Sequence, residues 1–294
     1  MTTAIKLSES QCSQVSNYES MLVEKNVTEF NINNISIDIL DRMIKNQRIF
    51  RNYIDNQKIE NLRNNYISWL FIIAPRLNVS KHTVFNTISM IDNLFSKNIN
   101  EEKSFLKNFQ LLAVVCFFLS HKFYEMERMQ IEFVANSLLH GNWSHNDICQ
   151  AEIYILEKLD YQINFPNFYI FSKFFEVIIT NGFDKERVKQ IKFLTKYIMQ
   201  KAIKLKELIF DLVPFHQVII ILNTTFLLLQ QLSDFEIEKH SSFFEKITTL
   251  TSNQQINEFE KYSTILINNL SFSLEIIDKF NNINCKQNEI IFIT

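Results

Sequence analysis

Glycine and proline are almost absent from this sequence. Its 294 residues include 2 Gly and 3 Pro, where average usage of roughly 7% and 5% would give about 20 and 15. Few positions therefore offer the left-handed backbone or the rigid turns that sandwiches and barrels use. The two glycines, Gly141 and Gly182, stand far apart, which excludes glycine-rich phosphate loops of the Walker and dinucleotide-binding types.

A strong net charge and a long apolar run are also missing. The chain has 30 basic and 32 acidic residues, a formal net charge of −2, which argues against nucleic acid or an anionic membrane as a partner and favours proteins. The most apolar stretch, 218–229, is interrupted by polar residues at 223–225. It is shorter than the roughly 20 apolar residues of a membrane span, so it predicts a buried core helix.

The cysteines show no paired spacing. Cys12, Cys116, Cys149 and Cys285 lie far apart, without a C-x-x-C motif and without a secretory leader before them. This usage predicts a reducing compartment, the nucleus or the cytoplasm, with the thiols buried as small hydrophobic groups.

Amphipathic segments of helical period follow one another from residue 36 onward. In the first part of the chain they predict helices at 38–54, 58–74, 80–97, 102–124, 128–139 and 144–159. In the second part they predict helices at 168–179, 184–206, 213–232, 234–248 and 253–270. Pro75 and Pro166 mark helix boundaries, because a residue before proline is pushed out of the α region, and Ser80 and Ser144 are predicted N-caps.

The fold predicted from this order is all-α, with two tandem five-helix bundles and a flanking N-terminal helix. The corresponding boundaries are a flexible arm at 1–35, the flanking helix at 36–57, the bundles at 58–163 and 164–280, and a tail at 281–294 that either packs on the body or extends from it.

Catalytic and metal-binding patterns are not found. His140 and His145 lie close in sequence, but no cysteine or carboxylate follows at a metal-binding spacing. Cys116 and His121 lie five residues apart on one predicted helix and therefore on different faces, which argues against a nucleophilic pair. The prediction is a protein with no catalytic residue, no cofactor and no metal.

Five residues that match a known family in type and in order carry a resemblance to it. The segments 62–70, 91–96, 110–111, 120–125 and 151–161 resemble the helices of the cyclin box, and the five most recurrent residues of that box are matched by Arg63, Asp92, Leu111, Lys122 and Glu152. The resemblance covers about 38–165 through motifs, and 166–280 only through the helix pattern and Pro214. It implies two cyclin boxes in tandem.

The resemblance implies a regulatory subunit that binds and activates a cyclin-dependent kinase. The residues that match the kinase contacts of the family are Lys122, Glu152, Phe123, Leu156, Tyr161 and Ile163. Arg63 and Asp92 match an internal ion pair between the first two helices.

A second implied feature is a groove that docks short motifs of substrates or inhibitors. Its matching positions are Leu62, Tyr66, Trp69 and Gln110, with core packing as the alternative role of Trp69. The sequence departs from the family at Asn65 and Tyr66, where aliphatic residues are usual, and at Ile72, where an acidic residue is usual.

Two functions remain open at this point. One is a kinase-activating cyclin of the cell cycle or of transcription. The other is a cyclin-fold adaptor, either similar to a general transcription factor or a scaffold in a larger assembly. No sequence motif supports a third function, that of an all-α enzyme.

Overall fold

The computed structural model describes residues 42–45, 57–97, 107–232 and 253–270. The chain divides into two units, Met1–Lys45 and Asn46–Thr294. Of the first unit, residues 42–45 are described and they are helical. The predicted arm, the tail and the helix at 234–248 lie outside the described residues.

All regular secondary structure among the described residues is helical, so the all-α prediction is confirmed. In the second unit we number the helices α1 to α10 in chain order. Their bounds are α1 Gln57–Arg76, α2 Lys81–Lys97, α3 Phe109–Tyr124, α4 Ile131–Phe133, α5 His145–Lys158, α6 Phe168–Gly182, α7 Lys185–Ala202, α8 Lys206–Asp211, α9 Pro214–Leu232 and α10 Asn253–Asn269. A π-helical turn, Val134–Leu138, continues α4.

Helix α3 is the centre of the first bundle. Every residue from 111 to 121 is buried, which is expected for a helix that is apolar on all sides. It packs between α2 and α5, and α2 also contacts α1 and α6. The end of α3 therefore emerges from a rigid core.

Helix α9 has the same position in the second bundle, where it contacts α6, α7 and α10. Pro214 begins it, at the position where proline is best tolerated in a helix. The polar interruption predicted inside this core helix is satisfied within the bundle: Thr224 and Thr225 donate to carbonyls one turn earlier, and the Asn223 amide donates to Ser263 on α10 at 3.0 Å.

Three boundary predictions were wrong. Helix α1 continues past Pro75 to Arg76, because a proline in the last turn removes little of the hydrogen-bond ladder. The predicted helix 184–206 ends at Ala202 and a separate short helix, α8, follows it. The predicted helix 128–139 is one turn of α-helix and one π-helical turn, closed by a bond from the Leu139 amide to the Val134 carbonyl.

The predicted caps agree with the structure. Ser144 accepts from the backbone N–H of Asp147, and the Asp147 carboxylate accepts from that of Ser144, which forms a capping box at the start of α5. Ser80 accepts from the Thr83 N–H at 3.3 Å before α2. These caps begin α5 and α2, the helices that carry Glu152 and Asp92.

Candidate functional site

A lysine at the end of α3 and an acid in the middle of α5 meet at the surface. Lys122, in the last turn of α3, forms an ion pair with Glu152 on α5. The Lys122 ammonium also lies 4.0 Å from the centroid of the Phe118 ring, a cation–π distance. The two side chains are 44% and 16% exposed, so a partner can reach both of them.

Partly exposed apolar side chains lie on the same helices as this pair and on the connector that follows α5. Phe123, Leu156 and Ile163 are half-buried, and Tyr161 is 51% exposed. Ile153, beside Glu152 on α5, is 48% exposed and was missed by the sequence analysis, although its position next to the acid is a usable signal. We call these five residues together with Lys122 and Glu152 the α3–α5 surface.

The connector after α5 is held in an unusual backbone conformation. Asp160 and Tyr161 both have left-handed backbones, with φ of 54° and 59°, a conformation that residues other than glycine rarely adopt. The Lys97 ammonium donates to the Lys158 carbonyl at 2.7 Å and to the Asp160 carboxylate at 2.6 Å. These bonds fix the turn that exposes the ring of Tyr161.

A buried asparagine, also missed by the sequence analysis, fixes the rest of the connector. The Asn86 amide group on α2 donates to the Ile163 carbonyl at 2.8 Å and to the Ser120 hydroxyl at 3.0 Å. Its oxygen accepts from the Phe165 N–H at 3.3 Å. Asn86 therefore aligns the connector with both α2 and α3.

Arg63 and Asp92 form a buried pair on α1 and α2. The guanidinium donates two bonds to the carboxylate, at 2.6 and 2.8 Å, and both residues are 2% exposed. A third nitrogen donates to the Ile203 carbonyl at 2.8 Å, and the guanidinium carbon lies 5.3 Å from the Phe210 ring centroid. The pair thus joins the two bundles as well as the first two helices.

The residues of the predicted groove lie on α1 and at the start of α3. Leu62 and Trp69 are half-buried, and Gln110 is exposed. Tyr66 is 8% exposed, and its hydroxyl donates to the Ala113 carbonyl at 2.5 Å. Burial, together with Cys116, raises the pKa of Tyr66 well above its ordinary value, so Tyr66 is a packed side chain of the bundle.

Glu125, just after α3, connects this end of the bundle to α2. Its carboxylate accepts from the Ser80 N–H at 2.8 Å and from the Thr83 hydroxyl. Burial opposes ionisation of Glu125, but the hydrogen bonds from Thr83 and Ser80 outweigh it and lower the pKa of the carboxyl.

We expect Glu125→Gln to destabilise the protein at neutral pH by about 1 kcal/mol, the size of a lost hydrogen bond. A carboxyl whose pKa is lower in the folded state contributes stability above its unfolded pKa of roughly 4.3, and this contribution is lost as the pH falls through the folded pKa. The difference between wild type and Glu125→Gln in denaturant unfolding should therefore shrink on acidification. Glu127→Gln, at an exposed position nearby, serves as the control, and a difference that stays constant with pH would contradict this account.

No metal site is found in the parts of the chain that the structure describes. No group of three His, Cys, Asp or Glu side chains there could hold a metal ion. Cys116 is buried, but Cys149 is exposed, so the prediction of buried thiols was wrong for Cys149, which lies on the solvent side of α5. Among the described residues, no helix has the length and apolarity that crossing a membrane requires.

The family model "Cyclin, N-terminal domain" matches residues 35–164. Over these residues the chain is similar to the cyclin family. The matched range agrees with the predicted resemblance over 38–165, and it contains the whole α3–α5 surface.

Comparison with curated proteins shows the same similarity to cyclins. The chain is 30% identical over 106 residues to S-phase entry cyclin-5 of Saccharomyces cerevisiae, which covers 36% of this chain and 23% of the relative. It is 28% identical over 116 residues to G2/mitotic-specific cyclin-1 of the same yeast, covering 40% and 24%. The matches thus span about a quarter of the length of these relatives.

A solved structure supports the fold beyond the matched domain. The X-ray structure of a viral cyclin from herpesvirus saimiri covers 85% of this chain and 98% of its own, with a TM-score of 0.50 and 12% sequence identity. At that identity the likeness concerns the fold alone.

Proposed function

We propose that this protein is a cyclin, a regulatory subunit that binds and activates a cyclin-dependent serine/threonine kinase in the nucleus or the cytoplasm, without catalytic residues of its own. The observation that carries the proposal is the accessible ion pair of Lys122 and Glu152 in the α3–α5 surface.

The chemistry of this surface suits the backbone of a partner protein. An ammonium can donate to carbonyl groups and a carboxylate can accept from N–H groups, and charge-assisted bonds of this kind are stronger than neutral ones. The apolar side chains around the pair supply the desolvated centre that protein interfaces need. Phe123, Leu156, Tyr161 and Ile163 are the proposed apolar contacts.

Activation would follow from binding one state of the kinase better than the other. An active kinase needs its αC glutamate paired with the strand lysine and its activation segment open. Moving an equilibrium from 1:99 to 99:1 takes about 5.5 kcal/mol of differential binding. A rigid cyclin surface favours this shift, because little of its binding energy is lost in ordering the cyclin itself.

The same proposal includes a role in substrate selection. Leu62, Trp69 and Gln110 offer a partly exposed face, with Tyr66 beneath it, to short motifs of substrates or inhibitors. Because Ile72 is exposed where an acid is usual in the family, we expect this face to prefer apolar over basic residues in the motif.

The test is reconstitution with purified cyclin-dependent kinases, measuring both complex formation and phosphorylation of a peptide substrate. Lys122→Glu and Glu152→Lys should each weaken binding by roughly thirtyfold or more, since removing one partner of a desolvated interface charge costs about 2–5 kcal/mol. The exchange variant Lys122→Glu/Glu152→Lys keeps an ion pair within the chain but inverts its charges.

The exchange variant separates recognition from stability. If the pair serves recognition, the exchange variant folds with the wild-type circular dichroism spectrum and still fails to bind. Lys189→Glu, at an exposed position on α7, controls for the change in net charge of the single variant Lys122→Glu. Kinase binding and activation that survive in the exchange variant would refute the proposed site, and a chain that binds kinases without activating them would favour the adaptor function.

A further inference from the structure

A histidine and a cysteine, both exposed, lie one helical turn apart at the start of α5. His145 is the first residue of the helix, and Cys149 follows it four positions later. Residues four apart lie on the same face of a helix, with their Cβ atoms about 5–6 Å apart. The imidazole and the thiol can therefore reach one small ion from the same side of α5.

The spacing and the ligand types suit zinc. Zinc binds thiolate sulfur at about 2.3 Å and imidazole nitrogen at about 2.0–2.1 Å, so one ion can bridge two side chains at this separation. Two histidines at the same four-residue spacing hold zinc in a helical metalloprotease motif. Thiolate and imidazole are poor ligands for calcium and magnesium, which prefer oxygen.

The surroundings on α5 favour a cation. The helix has acids at Asp147 and Glu152, and it contains no lysine or arginine before its last residue, Lys158. The reducing compartment predicted from the cysteine usage keeps a thiol available as a ligand. On metal binding the thiol loses its proton to the solvent.

One chain supplies only half of such a site. Among the described residues, no group of three His, Cys, Asp or Glu side chains could hold a metal ion. Glu152, one turn beyond Cys149, already forms an ion pair with Lys122. Because a structural zinc ion takes four protein ligands in a tetrahedron, the other two ligands must come from a second molecule.

We propose that His145 and Cys149 from two copies of this chain bind one zinc ion. A symmetric dimer brings the same surface of both copies together, so the second copy supplies an identical pair and completes the tetrahedron. The two thiolates neutralise the charge of the ion. This proposal does not depend on kinase binding, because metal alone is the probe that tests it.

The start of α5 is both accessible and rigidly held. Residues 140–142 and 144–147 are all exposed, so a second copy can approach without any rearrangement of the bundle. The capping box of Ser144 and Asp147 fixes the first turn of the helix, and Ile148 and Ile155 bury its opposite face in the core. The metal-binding pair is thus presented on a fixed element.

The experiment is light scattering of the full chain, kept reduced, with and without zinc chloride. Zinc should double the mass of the 35.0 kDa chain, with one zinc ion bound for every two chains, and a chelator should reverse the association. A chain that stays monomeric in zinc, or that binds one ion per chain, would overturn the proposal. A dimer that survives the chelator would also overturn it.

Single variants test the two ligands. His145→Gln and Cys149→Ser should each weaken the zinc-linked dimer by roughly a hundredfold or more, since even a group that only supports a metal ligand is worth about 10–100-fold. Both positions are exposed, so the circular dichroism spectrum and the thermal unfolding should stay as in wild type. The matched controls are His140→Gln, at another exposed histidine, and Cys12→Ser/Cys285→Ser, and both should dimerise like wild type. Equal weakening in these controls would refute the assigned ligands.

Cobalt provides a readout that a change of structure would not mimic. Replacing zinc by Co²⁺ should give the intense visible bands of a tetrahedral site and a thiolate-to-cobalt charge-transfer band in the near ultraviolet. Cys149→Ser should lose the charge-transfer band. A weak octahedral spectrum in wild type, or a charge-transfer band that persists in Cys149→Ser, would contradict the proposed site.

Discussion

Replacement of Asp92 by alanine is expected to lower the free energy of unfolding by about 3–5 kcal/mol. The substitution leaves the Arg63 guanidinium, 2% exposed, with only the Ile203 carbonyl as its hydrogen-bond acceptor among the contacts described above, and an unbalanced buried charge is strongly destabilising. Arg63→Met should have a similar effect for the opposite reason, because it strands the carboxylate. Chemical denaturation followed by circular dichroism measures both changes.

A double variant separates the cost of an unpaired buried charge from the cost of lost packing. Arg63→Met/Asp92→Leu removes both charges and fills the space with apolar atoms, which is often far less destabilising than removal of one partner. We expect it to be more stable than either single variant. Lys97→Met, which breaks a surface ion pair with Asp160, should cost less than about 1 kcal/mol.

Additive effects would contradict this interpretation. If the double variant lost the sum of the two single losses, the two side chains would act independently and the buried pair would not be the stabilising unit. The bond from Arg63 to Ile203 also predicts that Asp92→Ala loosens the junction of the two bundles. Hydrogen exchange should therefore accelerate in α8, whose Phe210 ring lies against the guanidinium.

Local periodicity predicted most of this fold because the helices pack through continuous apolar faces. It predicted both ends of α2 and α9 and the last residue of α3 to within one residue, where a capping serine, a proline and the end of a buried run give local signals. It did not predict the break after Ala202. There the Ile203 carbonyl accepts from Arg63, a residue 140 positions earlier in the chain, and no local pattern reports such a contact.

The sequence also predicted some side-chain clusters and missed others, depending on whether their residues follow a local or family pattern. The residues of the α3–α5 surface other than Ile153 were named through a family resemblance whose residues keep their order and spacing in the sequence. The cluster of Lys81, Lys173, Lys192 and Lys196 near Glu176 was not predicted, because these lysines come from α2, α6 and α7 and each of them alone looks like an ordinary surface lysine. Only the packing of the two bundles brings them around one acid.

Asn86 shows why composition can mislead. Asparagine is so frequent in this sequence that it offers no signal of its own, yet Asn86 has no exposed surface and bonds to the connector at two points. The connector carries Tyr161 and Ile163, so a residue with no access to a partner positions part of the surface proposed to bind one.

We expect Asn86→Leu to destabilise the protein by about 2 kcal/mol or more, because it leaves the Ile163 carbonyl and the Phe165 N–H without their partner, and each unsatisfied buried group costs about 1–3 kcal/mol. Hydrogen exchange at the Phe165 amide should accelerate, and kinase binding should weaken although no contact residue has changed.

Asn93→Leu is the matched control on the same helix. Asn93 is 3% exposed, and its amide nitrogen has no hydrogen-bond partner among the described residues, so its replacement removes an unpaired polar atom and should change stability little or raise it. Equal losses of stability in the two variants would mean that leucine at either buried position of α2 is destabilising, whatever hydrogen bonds the asparagine made. A loss confined to Asn86→Leu, together with weaker kinase binding, would assign the connector geometry to this one side chain.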